Sequence, residues 1–260
     1  MAGKRIAYKV SALYFGDKPV GGWTASEKVR ASGMTFEENY NELDTTDNGQ
    51  TDDSVEITMG IASRQSKIDG TLRDAGGLPI MGKSSSFVLD GKAIAATGLS
   101  FEETYDEEEV SDEDTVGDGT ETDVTYAKRT SKISAWFKDT VARPVAAVAK
   151  AATLTIKTGF TIAGQFIVGA TSISGQSKGF FKIDLTGNWN NCVKTIPGFP
   201  VTGCVKDCKI LYKDGAQDKA VEGKAIITQV SLSADRKSEW KFSFTLKWNG
   251  TPVETEYAEV

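Results

Sequence analysis

A mainly β chain built on a duplicated unit, with a single helix beside the strands, is the fold this sequence predicts. Three observations carry it. The first is a repeat: ASGMTFEENY (Ala31 to Tyr40) returns without a gap as ATGLSFEETY (Ala96 to Tyr105), with six of ten positions identical. The same offset lays IASRQSKIDGTLRD (Ile61 to Asp74) on YAKRTSKISAWFKD (Tyr126 to Asp139), keeping Ala, Arg, Ser, Lys, Ile and Asp. Two matches in one register around a variable middle define a duplicated supersecondary unit. The second observation is strand alternation, clearest in EWKFSFTLKW, where Trp240, Phe242, Phe244, Leu246 and Trp248 share one face. The third is 26 Gly against 6 Pro, a balance suited to many strands joined by Gly, Asn and Asp turns.

In chain order, Lys4 to Phe15 mixes β-branched, aromatic and polar residues as a strand does. Lys28 to Tyr40 reads as a strand bent at Gly33, and Asn41 to Ser54 as a polar loop with an Asn-Gly turn. Val55 to Met59 and Ser66 to Leu72 follow as strands. The second unit repeats the order, with strands over Phe87 to Leu89, Ala93 to Phe101 and Val124 to Phe137. Between them Glu102 to Asp123 holds twelve carboxylates and no basic residue, which predicts a solvated loop. Its DEDTVGDG segment lacks the ligand spacing of an EF-hand.

Asp139 to Ala152 (DTVARPVAAVAKAA) is alanine-rich, with a capping Asp139 or Thr140 and Val141, Val145, Val148 and Ala152 on one face, so it predicts the flanking helix. Strands are expected again over 153–156, 161–168, 178–189, 224–232 and 239–248, with 188–209 as a long connection. GKAI at Gly91 and again at Gly223 is a short further echo. The expected units are 1–76, a first β repeat; 77–152, a second β repeat with the helix; and 153–260, a C-terminal β unit packing with both.

Composition limits the chemistry. There is no histidine, which removes the commonest general base and the commonest metal ligand. Cys192, Cys204 and Cys208 are an odd number of thiols with no second pair beside CVKDC, so neither a disulfide framework nor a zinc site is expected. Walker and dinucleotide fingerprints are missing, so no cofactor and no enzyme activity are expected. MAGKRIAYKV has no apolar stretch of signal-peptide length, and no run approaches a membrane span, so a cytoplasmic product without membrane insertion is expected. Residues 1–150 carry 17 basic and 26 acidic residues, net −9, while 151–260 carry 13 and 10, net +3, an asymmetry that favours head-to-tail association. The repeat signatures Phe36, Glu37, Glu38 and Tyr40, and Phe101, Glu102, Glu103 and Tyr105, read as core aromatics beside a repeated surface or subunit-contact element rather than as catalytic carboxylates.

ASGMTFEENYNELDTTD, the returning strand SKISAWFKD, the alanine-rich segment and the terminal hairpin GKAIITQVSLSADRKSEWKFSFTLKWNG together resemble bacteriophage tail tube (major tail) proteins. The resemblance implies a β-sandwich with a flanking helix and long projecting hairpins. It further implies rings, usually of six subunits, that close those hairpins into a β-barrel and stack into a tube. The implied partners are the chain itself, other tail proteins, and DNA that passes through the lumen without specific binding. The implied location is the virion tail, assembled in the host bacterial cytoplasm. The duplication implies either two tube folds per chain with fewer chains per ring, or one fold with an inserted decoration. A second reading is a β-sandwich adhesion or glycan-binding module on a virion or cell surface, which requires Trp189, Trp240 and Trp248 exposed together in a groove.

Overall fold

Fourteen strands account for most of the chain: β1 (Lys4–Gly16), β2 (Lys28–Val29), β3 (Gly33–Asp44), β4 (Ile57–Thr71), β5 (Ser86–Leu89), β6 (Lys92–Ile94), β7 (Ala96–Glu109), β8 (Thr122–Lys138), β9 (Ala149–Lys157), β10 (Phe160–Ser177), β11 (Phe180–Thr195), β12 (Val205–Asp214), β13 (Gln217–Asp235) and β14 (Lys241–Glu256). The computed structural model describes residues 4–20, 22–23, 28–29, 31–44, 57–110, 120–138, 146–177, 180–214 and 217–256, and all structural statements concern these. The strands form one antiparallel sheet, not the two separate sheets of a sandwich.

That sheet closes on itself once. The order β12-β1-β3-β4-β14-β13 returns to its start because β12 also pairs with β13, giving a six-stranded barrel (unit A). Closure leaves no edge in the ring, the usual remedy for exposed strand backbone. From β13 the sheet runs on through β7-β8-β11-β10-β9-β5-β6 (unit B). Unit B curls until Phe87 of β5 meets Phe166 of β10 and Trp189 of β11 edge-on, at 5.5 and 6.1 Å between ring centroids. Most buried side chains of both units join in one core, while Ala12, Leu211 and Ala220 form a second, small cluster. In β14 the alternation is strict from Phe242 to Trp248.

The repeat is kept in register. Met34 faces Ile68 as Leu99 faces Ile133; Phe36 faces Ser66 as Phe101 faces Ser131; Asp44 faces Ile57 as Glu109 faces Thr122. Every one of these pairs is displaced from its counterpart by the same step, the one that carries Ala31 onto Ala96 in the sequence. A second duplication, by a slightly shorter step, relates β10–β11 to β13–β14. Phe166 faces Trp189 as Ala225 faces Trp248, and the bulges at Gly164 and Gly169 recur at Gly223 and Thr228. Unit B, drawn from 78–196, is thus inserted between the two halves of unit A.

Several expectations need correction. The predicted helix is absent where it is described: residues 146–147 form a turn and Ala149–Lys157 is β9, while 139–145 lie outside the described residues. Leu154 and Ile156 are buried between the partner strands β10 and β5, and this pairing overrides the helix preference of alanine. The acidic segment begins as strand, with β7 running to Glu109, because β8 supplies Arg129 opposite Glu103 and Lys128 opposite Thr104. Residues 111–119, with the DEDTVGDG segment, lie outside the described residues, as do 45–56 of the first polar loop. The GKAI echo is not structural, since Gly91 lies in the β5–β6 turn and Gly223 in a bulge of β13. The long connection shrinks to 196–204. The charge asymmetry between chain halves also dissolves, because 1–76 with 204–260 sums to −3 and 78–196 to −3.

Candidate functional site

The two signatures occupy the same places on two hairpins, and each is locked to its own unit by the same chemistry. Ser66 on β4 accepts the buried indole N–H of Trp248 at 2.9 Å; Ser131 on β8 accepts that of Trp189 at 2.8 Å. Trp240 likewise donates to Ser85 Oγ at 2.6 Å. All three indoles lie in the core, at 4% exposure or less, so they form no exposed stacking platform.

Opposite each serine sits the signature phenylalanine. Phe101 is fully buried, and Phe36 is half-buried against the core. Neighbouring glutamates point to opposite faces of their strand, so Glu37 with Glu38, and Glu102 with Glu103, do not converge as a carboxylate pair. Glu38 is ion-paired across the hairpin with Arg64 at 2.5 Å, and Arg64 also donates to Thr251 at 3.3 Å. Tyr40 is exposed, and Glu102 lies on the exposed face of β7.

In unit B the equivalent of Glu38 has become a buried hub. The Glu103 carboxylate has no solvent exposure; it is ion-paired with Lys194 Nζ at 2.5 Å and Arg129 Nε at 3.4 Å, and accepts hydrogen bonds from the Thr202 hydroxyl at 2.9 Å and the Tyr105 hydroxyl. Burial pushes the Glu103 carboxyl up, but the Lys194 charge and the hydrogen bonds from Lys194, Tyr105 and Thr202 outweigh it and hold it below the usual carboxylate range. Burial and the bond to Glu103 push the Tyr105 phenol up to about 12. Burial also pushes the adjacent Cys192 thiol up to about 11. A carboxylate held ionised between two cations fixes structure and is poorly matched to proton transfer near neutral pH.

What this hub fixes is the joint between the units. Glu103, Tyr105 and Arg129 belong to the second hairpin, Lys194 to β11, and Thr202 to the connection that returns the chain to unit A. Gly203, at φ +71°, lies against the Tyr105 ring so closely that an added Cβ would sit 2.3 Å from Cε1, and its N–H donates to Ile227 O at 3.1 Å. Beside it, β13 changes partner: 217–226 pair with β12, whereas Gln229–Asp235 pair with Thr104–Gly98 of β7. Farther out, Asn249 Nδ2 donates to Thr122 O at 3.1 Å, Gly250 N to Thr120 O at 3.2 Å, and Lys247 ion-pairs with Glu107. Unit A therefore grips the second hairpin along most of its length.

Glu103 is visible in the repeat; Lys194 and Thr202 are not, since both lie outside it. Arg129 carries a signal, being one of the residues that the repeat retains. Among the described residues no group of three or more Cys, Asp or Glu is placed to hold a metal ion, and no helix is long and apolar enough to cross a membrane. No protein-family model matches the chain, and no curated protein matches it.

Proposed function

We propose that this chain is a structural subunit that assembles with copies of itself into stacked rings, forming a tail tube of the bacteriophage class through which a genome passes. One observation carries the reading. Within a single chain, one unit already holds the long hairpin of the other by strand addition, which is the contact a ring of such units needs between neighbours. Of the segments that resemble tail tube proteins, the described parts of ASGMTFEENYNELDTTD and SKISAWFKD lie on these hairpins, and the terminal one forms the β13–β14 pair that does the gripping.

With two units per chain, a ring of six units takes three chains. Its partners are further copies, other tail components, and DNA contacted without sequence preference. The acidic balance of both units suits a passage that does not retain phosphate. The test is negative-stain microscopy of concentrated protein together with sedimentation velocity. Rings or tubes built of trimers are the expected result; a monomer at every salt and protein concentration would overturn the proposal.

A further inference from the structure

The two duplications together bring out an asymmetry. The β13 segment that holds the second hairpin, Gln229–Asp235, corresponds to Ala170–Gln176 of β10. Its outer edge has no strand beside it among the described residues, because pairing with β9 ends at Ile167. The side chains follow. Leu232 is fully buried against β7, while its equivalent Ile173 is 47% exposed. Val230 is buried, and its equivalent Thr171 is exposed. The outer grip is also duplicated: Asn249 and Gly250 correspond to Asn190 and Asn191, both exposed, and Asn191 shares the left-handed backbone of Gly250, at φ 49° and 79°. SLS at 231–233 reads SIS at 172–174. Unit B thus carries most of the gripping surface of unit A with no described residue in it, Asn188 standing where Lys247 pairs with Glu107.

The hairpin equivalent to the gripped one is β3–β4. Along Met34–Glu38 its outer edge is taken by the chain's own residues Tyr8–Lys4, in the place that Ala234–Val230 take on β7. We infer that β10 of one copy adds to β3 of the next in this register, Ser172 opposite Glu37 and Ile173 opposite Phe36, and that Lys4–Tyr8, which makes the whole of the β1–β3 pairing, is a placeholder whose displacement opens the barrel of unit A at that seam when copies join. The occupant is a second copy of this chain, since β3 is the one hairpin edge equivalent to that of β7. The inference rests on the self-assembly reading and names its contact.

Residues directly opposite in an antiparallel pair have Cα atoms about 4.5–5.5 Å apart, within reach of a disulfide. The full chain with Cys192 and Cys204 replaced by serine, carrying S172C and E37C, is oxidised and run on non-reducing gels. Covalent oligomers ending at the ring size are expected, and none from the off-face pair T171C/E37C. Association by sedimentation without these links would place the contact elsewhere and overturn the inference while leaving self-assembly standing. Absence of association in the unmodified protein would overturn both. The placeholder has its own test. Residues 4–8 are the segment that pairs with β3, so a chain lacking residues 1–8 should associate at a lower concentration than the full chain. Unchanged or weakened association would overturn the placeholder role.

Discussion

Ser131 Oγ receives the indole N–H of Trp189 at 2.8 Å, with both residues buried. The bond ties the second hairpin to β11 at a level where no water can replace it. Ser131→Ala leaves a buried donor unsatisfied and should cost about 1–3 kcal/mol in urea unfolding. Ser66→Ala, at the equivalent bond to Trp248, should cost about the same, again in the range of about 1–3 kcal/mol. Unequal losses would mean that the two locks are not energetically equivalent.

Glu103→Gln removes the one carboxylate shared by Lys194 and Arg129. Breaking a buried ion pair from one side costs about 3–5 kcal/mol. Glu38→Gln, at the corresponding but more exposed pair, should cost about 1 kcal/mol or less. Chemical denaturation of the two variants side by side measures the contrast.

The same hub sets a pH dependence. The Glu103 carboxyl is lower in the folded chain than unfolded, so its stabilisation is present above the unfolded value, about 4.3, and is lost as pH falls through the folded one. The gap in stability between the native chain and E103Q should therefore narrow below about pH 4. At the other end, a tyrosine raised to about 12 stabilises fully below about 10, and loses that contribution as pH rises from there towards 12. Phenolate absorbance should show one tyrosine titrating near 12 in the native chain and lower in E103Q.

Gly203 permits the connection between units to cross Tyr105. Gly203→Ala adds a methyl against the ring at a positive φ and should cost at least about 2 kcal/mol, from overpacking and left-handed backbone together. In a Tyr105→Ala background the same change should cost only the backbone part.

Thiol labelling reports on the core. Cys208 is fully buried, and its thiol is raised by burial; Cys192 is pushed up to about 11. Native protein at neutral pH should leave Cys208 unmodified by a maleimide, as read by mass spectrometry, until denaturant is added.

The sequence exposes the first duplication because six identities fall in ten aligned positions. It conceals the second, where Lys182, Thr186, Trp189 and Asn190 are the residues of β11 kept in β14. Strand positions need only the right face to be apolar, so Leu185 against Phe244 or Phe166 against Ala225 keeps the packing and erases the likeness. The helix expectation fails for a related reason. Alanine at 149–152 is permissive, and the neighbours β10 and β5 decide its backbone. The buried hub is half legible: the repeat marks Glu103 and Arg129, but Lys194 and Thr202 reach them only through the fold.

The insertion of unit B into unit A also sets the order in which the nascent chain can finish its parts. Leaving the ribosome, β1 to β4 must wait through the whole stretch from Thr71 to Val205 before the strands that close their barrel begin to emerge. Unit B has all its own strands by Thr195 and can fold first. The last three strands, β12 to β14, then close the barrel beside a finished unit B, so late truncations should spoil the barrel whose first strands are made earliest in synthesis.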